Sequence, residues 1–120
     1  MRKTLLAIGF VAVMVPGPLS AGEADTIAAT ATQSGGTWRF DVTVQHADTG
    51  WDHYADAWRV VGPDGTVYGT RTLYHPHVNE QPFTRSLSGV EIPSTVATVI
   101  VESHDSVHGW GGATVEVSLK

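Results

Sequence analysis

The sequence predicts an all-β domain, an antiparallel sandwich of about seven short strands. Apolar side chains recur at period two in its clearest segments. Trp38, Phe40, Val42 and Val44 alternate with Arg39, Asp41, Thr43 and Gln45, and Ala113, Val115, Val117 and Leu119 alternate with Thr114, Glu116 and Ser118. That pattern buries one face and wets the other. Turn signals separate the segments: Ser34-Gly35-Gly36, Gly62-Pro63-Asp64-Gly65 and Ser88-Gly89. No stretch has the 3.6-residue pattern of an amphipathic helix, and no internal repeat is visible.

The chain opens Met1-Arg2-Lys3, runs apolar from Leu5 to Val15, breaks at Pro16-Gly17-Pro18 and continues Leu19-Ser20-Ala21. These are the basic, apolar and small-residue regions of a secretory leader. The apolar run is shorter than the roughly 20 residues of a membrane span. Cleavage is expected after Ala21, giving a leader over 1–21 and a single domain over 22–120. No cysteine stands at the cut, so a lipid anchor on the new terminus is excluded. The expected location is periplasmic or secreted, with no membrane contact after cleavage.

Within the domain, Thr26–Gln33 reads as a weak edge strand and Trp38–Val44 as the strongest strand. Ala57–Val61 and Thr66–Leu73 flank the Gly-Pro-Asp-Gly turn, where proline presets φ and Asp-Gly favours positive φ. Phe83–Leu87, Thr95–Glu102 and Ala113–Leu119 follow, with Val90–Ser94 as a short connection. Three long polar loops remain: His46–Asp56, Tyr74–Pro82 and Ser103–Gly112. Trp58 falls on the third strand, where immunoglobulin-like sandwiches keep a core tryptophan. The domain thus resembles immunoglobulin-like and fibronectin type III-like sandwiches, which implies a fold and no activity. The segments Tyr74–Leu87 and His104–Gly112 resemble a small family of exported bacterial sandwich proteins of unassigned activity.

All twelve acids lie beyond residue 21, against five bases there (Arg39, Arg59, Arg71, Arg85 and Lys120), a net of −7. An acidic domain argues against nucleic acid as a partner. There is no cysteine, and both methionines, Met1 and Met14, belong to the expected leader. Disulfides and soft sulfur ligands are therefore excluded from the domain.

The six histidines are His46, His53, His75, His77, His104 and His108. If consecutive strands are antiparallel, connections alternate between the two ends of the sandwich. The three long loops then share one end, and they hold every histidine. Asp48, Asp52, Asp56, Glu80 and Asp105 join them there, with Trp51, Tyr54, Tyr74 and Trp110. Imidazoles among carboxylates, on loops held by a rigid scaffold, suit a divalent transition metal. With nitrogen and oxygen donors alone, Cu²⁺ or Zn²⁺ is the expected ion. In extended backbone His75 and His77 would face one ligand. They lead as ligands with His104; His108 and His53 follow. His46 comes last, because its parity with Trp38–Val44 fits a buried, hydrogen-bonded core histidine.

Other motifs carry less. The strand arginines suit cross-strand ion pairs with Asp41, Asp56, Glu102 or Glu116. Trp51 and Trp110 suit pinning of long loops. Gly109, Gly111 and Gly112 precede no helix, so they form no phosphate loop. Ser103 and Ser106 lack the nucleophile-elbow pattern. The expected function is an exported metal-binding protein for capture, buffering or delivery. The alternative is a structural or adhesive module meeting an envelope protein partner. A metalloenzyme ranks third: His75-Pro76-His77 resembles the His-x-His pair of copper–zinc superoxide dismutases, but that family's glycine-flanked aromatic context and cysteine pair are absent.

Overall fold

A computed structural model describes Val11–Met14 and residues 22–120. Among these residues eight strands run in the order β1 (Val11–Met14), β2 (Asp25–Ser34), β3 (Thr37–Gln45), β4 (Ala55–Val61), β5 (Val67–Thr72), β6 (Phe83–Val90), β7 (Thr98–Asp105) and β8 (Gly109–Ser118). They form two antiparallel sheets, ordered β2-β3-β6 and β1-β8-β7-β4-β5. Seven of these strands belong to residues 22–120, so the expected all-β sandwich holds. The rest of the expected leader lies outside the described residues. Among the described residues no helix is long and apolar enough to cross a membrane.

Strand alternation builds the core. Phe40, Val42 and Val44 on β3 meet Val99 and Val101 on β7, Val115 and Val117 on β8, and Trp58 on β4, all of them buried. Ala55 and Trp58 are both buried although three residues apart, which breaks period two. An irregularity between Ala55 and Ala57 opposite β7 absorbs the extra residue. The Gly62–Gly65 turn forms as expected: Gly65 N–H donates to the Gly62 carbonyl at 3.0 Å, and Gly65 takes φ of 90°.

The inward rows become polar toward one end. On β7, buried Val99 and Val101 give way to Ser103 and Asp105, also buried. On β3, the row Phe40, Val42 and Val44 runs on to buried His46 just past the strand. A buried hydrogen bond of 2.6 Å between the Thr26 and Ser103 hydroxyls makes the first polar rung. Beyond it the interior contains histidines and carboxylates.

The third long loop is shorter than the sequence suggests. β7 continues to Asp105 and β8 begins at Gly109, leaving a tight hairpin. Asp105 causes this: its Oδ1 accepts the backbone N–H groups of Val107 and His108 at 2.9 and 2.8 Å. The glycines expected in a loop lie on β8, and two of them make room for the chain entering β2. A Cβ on Gly111 would collide with the Glu23 carboxylate, and one on Gly112 with the Ala24 carbonyl. Of the strand arginines, Arg39 pairs with Asp41 and Arg59 with Glu102, as expected. Arg85 instead bonds His77, and Asp56 pairs with His104.

Candidate metal centre

The end of β3, the loop over residues 46–54, the end of β7 and the β7–β8 hairpin converge at the polar end. Loop 46–54 doubles back on itself: Thr49 N–H donates to the His53 carbonyl at 3.0 Å, and His53 N–H to that of Gly50 at 3.2 Å. This turn sends Trp51 outward and returns His53 beside His46. Tyr54 and Ser106 exchange two hydrogen bonds, Tyr54 N–H to Ser106 Oγ at 3.1 Å and Ser106 N–H to the Tyr54 carbonyl at 3.0 Å. The loop is thereby tied to the hairpin.

Four polar atoms meet there. His46 Nε2 and His53 Nε2 are 3.2 Å apart. The Gly22 carbonyl oxygen is 3.0 Å from the first and 3.1 Å from the second. Asp105 Oδ1 is 3.0 Å from His53 Nε2. Ligand atoms of His46, His53 and Asp105 all lie within 4.8 Å of one another, the one such group among the described residues. The His108 ring closes the outside, its Nδ1 3.1 Å from Asp105 Oδ1 and its centroid 5.0 Å from that of His53. Exposure rises outward, with side-chain values of 0% for Asp105, 1% for His46, 23% for His53 and 40% for His108.

Asp48 sets the electronic state of His46. Its buried carboxylate accepts from His46 Nδ1 at 2.6 Å and from Ala55 N–H at 3.0 Å through one oxygen, and from His77 N–H at 2.7 Å through the other. An ionised carboxylate only accepts, so Nδ1 carries the proton. In the neutral ring, Nε2 then presents its lone pair to the cluster. This is the carboxylate–histidine arrangement that orients metal-binding rings.

The donor count falls short. With His46 and His53 neutral, Gly22 O and His46 Nε2 meet as two acceptors with one His53 N–H between them, while Asp105 Oδ1 already accepts from the Val107 and His108 N–H groups. Asp105 Oδ2 is buried with no hydrogen-bond partner. Burial favours the neutral acid at Asp105, but the His108 and Val107 N–H groups and the His108 ring outweigh it. They hold the carboxyl below its ordinary value. An anionic carboxylate, two imidazole nitrogens and a carbonyl around one point are suited to a cation.

The histidines expected to lead do not assemble. The chain bends at His75 instead of running extended, so the i, i+2 rule fails. His75 is exposed, with its ring 6.2 Å from that of Trp51. His77 stacks on Phe83 at 4.0 Å, and its Nε2 is 2.8 Å from Arg85 Nη2. The His-x-His pair that resembled the dismutase motif therefore does not converge on one point. His104 is one residue from inward-facing Asp105 and so takes the outer face, where it bonds Asp56 at 2.5 Å and meets Trp110 at 4.8 Å. The three connections do share one end. Gln81 of the His-Pro-His loop accepts from His46 N–H at 3.0 Å, and Asp48 accepts from His77 N–H.

The ligand group was visible in part. The parity that made His46 look like a core histidine is what carries it into the cluster, and the same parity on β7 carries Asp105. His53, read from the sequence as a lesser candidate, depends on the turn. The Gly22 carbonyl has no side-chain signature.

The chain is 40% identical over 99 residues to a protein of Halomicrobium mukohataei described as a "Putative lipoprotein". The alignment takes in 82% of this chain and 48% of that protein, so the chain spans about half the length of the curated relative it matches. No family model and no solved structure matches the chain.

Proposed function

We propose that this chain is an exported envelope protein that binds one divalent transition-metal ion, Zn²⁺ or Cu²⁺, for capture, buffering or delivery. The observation that carries the reading is the convergence of His46 Nε2, His53 Nε2 and Asp105 on one point, where Asp105 Oδ2 is buried without a partner. At metal–nitrogen distances of about 2.0–2.1 Å, neighbouring ligands stand about 3.3–3.4 Å apart in a tetrahedron and about 2.9 Å apart in an octahedron. The 3.0–3.2 Å separations fall between the two. The leader-like first 21 residues support export, and the relative's description as a lipoprotein supports the envelope.

Titration of the purified apoprotein with each ion tests the proposal. The expected result is saturation at one equivalent, lost in a His46→Ala, His53→Ala double variant. Binding unaffected by that variant would remove this centre from consideration.

The same end exposes apolar side chains, with Trp51 at 66%, Tyr74 at 68% and Val107 at 59%. These favour contact with a protein partner there, the second reading. A pulldown that recovers a partner equally with and without metal would support that reading over metal carriage.

A further inference from the structure

We propose that the backbone carbonyl oxygen of Gly22 is itself a ligand of this centre, with Gly112 as its positioning residue. The inference rests on the metal reading above and makes the preferred ion Zn²⁺ rather than square-planar Cu²⁺.

The first argument is geometric. Gly22 O, His46 Nε2 and His53 Nε2 form a nearly equilateral triangle with sides of 3.0, 3.1 and 3.2 Å. Three ligands that are mutual neighbours cannot lie in one square plane, because any three corners of a square include one opposite pair. Cu²⁺ favours tetragonal geometry, whereas Zn²⁺ has no geometric preference from its d electrons. A triangular face belongs to a tetrahedron, a trigonal bipyramid, a square pyramid or an octahedron, and a tetragonal ion could hold the three only by placing one of them on its long, weak axis. Asp105 adds the anionic ligand.

The second argument is that the carbonyl is held in place by a built cradle. Ala24 is fully buried, and Asp25 Oδ1 accepts from Ala113 N–H at 2.7 Å. The segment therefore lies on β8, and the absence of a side chain at Gly112 lets it lie there. A Cβ on Gly112 would collide with the Ala24 carbonyl and meet Asp25 Oδ1. Gly22 has φ of 89°, and a Cβ there would stand 3.0 Å from His108 Cε1. Glycine at position 22 thus serves both the backbone conformation and the close approach of the His108 ring.

The third argument is chemical. With the His46 ring neutral and its Nδ1 proton on Asp48, the Gly22 oxygen faces the Nε2 lone pair at 3.0 Å. Two facing acceptors repel unless a proton or a cation lies between them. A divalent ion bound by both turns the repulsion into shared coordination.

The test uses Zn²⁺ with a competing chelator, and NMR of the Gly22 carbonyl carbon. In the wild-type chain that resonance should move and saturate at one equivalent. Gly22→Ala keeps the carbonyl but forces an L side chain into positive φ beside His108, and should weaken Zn²⁺ binding about tenfold or more. Gly112→Ala should weaken it similarly from a residue that contributes no ligand. If Gly112→Ala does not fold, Gly22→Ala and the carbonyl resonance still decide the matter. Gly35→Ala is the control: Gly35 also takes positive φ, but a Cβ there meets nothing and the residue lies in the β2–β3 turn at the other end of the strands, so the variant should bind as wild type. A wild-type chain that binds Zn²⁺ with a static Gly22 resonance and an unaffected Gly22→Ala variant would overturn the inference while leaving the metal reading intact. A wild-type chain that takes no Zn²⁺ would overturn both.

Discussion

Asp48 and His46 lie 2.6 Å apart, carboxylate oxygen to Nδ1, both buried two residues apart at the end of the strongest strand. The pair fixes which imidazole nitrogen faces the cluster. Asp48→Asn would put an amide NH₂ where only acceptors fit, opposite either His46 Nδ1–H or His77 N–H. Leaving a buried polar group unpaired costs about 1–3 kcal/mol. Losing the carboxylate that orients a metal-binding ring costs about 10–100-fold in affinity. Both losses are expected, read from chemical denaturation and from metal titration of the folded variant. Wild-type affinity in Asp48→Asn would mean that His46 is not a ligand.

Thermal stability should respond to metal. A ligand bound only by the native state at a hundredfold excess over Kd adds about 2.7 kcal/mol. In a domain of this size that raises Tm by roughly 10 °C or more. The rise should survive a His75→Ala, His77→Ala double variant and vanish in His46→Ala, His53→Ala. The reverse pattern, read by calorimetry, would return the site to the His-Pro-His loop.

The effect of pH separates the ligands. A carboxyl held below its ordinary value stabilises the fold above the unfolded value of about 3.9, and that contribution is lost as pH falls through the lower folded value. Asp105 is such a group. It therefore stays ionised between about pH 7.5 and 5.5, and ion release over that range reports protonation of imidazole ligands. Dialysis at a buffered free-ion concentration should show retention at the upper pH and loss at the lower. Asp105→Asn should flatten the fall in apoprotein stability below about pH 4. Full retention at about pH 5.5 would point to a carboxylate-only site.

The polar rung beneath the cluster can be tested separately. Thr26→Val leaves the Ser103 hydroxyl buried without its 2.6 Å partner. A cost of about 1–3 kcal/mol is expected, whereas Thr26→Val with Ser103→Ala should be closer to neutral. Denaturant midpoints of the two variants check this. Equal losses would mean that the hydroxyl pair is not what matters at this layer.

The architecture was legible because period-two burial is a local property. Trp38–Val44 and Ala113–Leu119 could be read as strands without knowledge of their neighbours. The shared end of the histidine-bearing connections also followed from alternation alone. Individual ligands were not legible in the same way. His75 and His77 looked like a pair only under the assumption of extended backbone, which the bend at His75 removes. His104 and Asp105 go to opposite faces because the hairpin tightens and β7 runs on to Asp105. Gly111 and Gly112 looked like loop glycines, because the segment they accommodate is nearly ninety residues away in the chain and paired strands alone do not bring it there.

X-ray absorption of the protein loaded with one equivalent of Zn²⁺ tests the central claim most directly. Two imidazole nitrogens with oxygen ligands completing four to six positions, at about 2.0–2.2 Å, is the predicted shell. The spectrum should be unchanged in His75→Ala, His77→Ala. Three or more imidazoles in the shell, or a shell altered by that variant, would contradict a centre built on His46, His53 and Asp105.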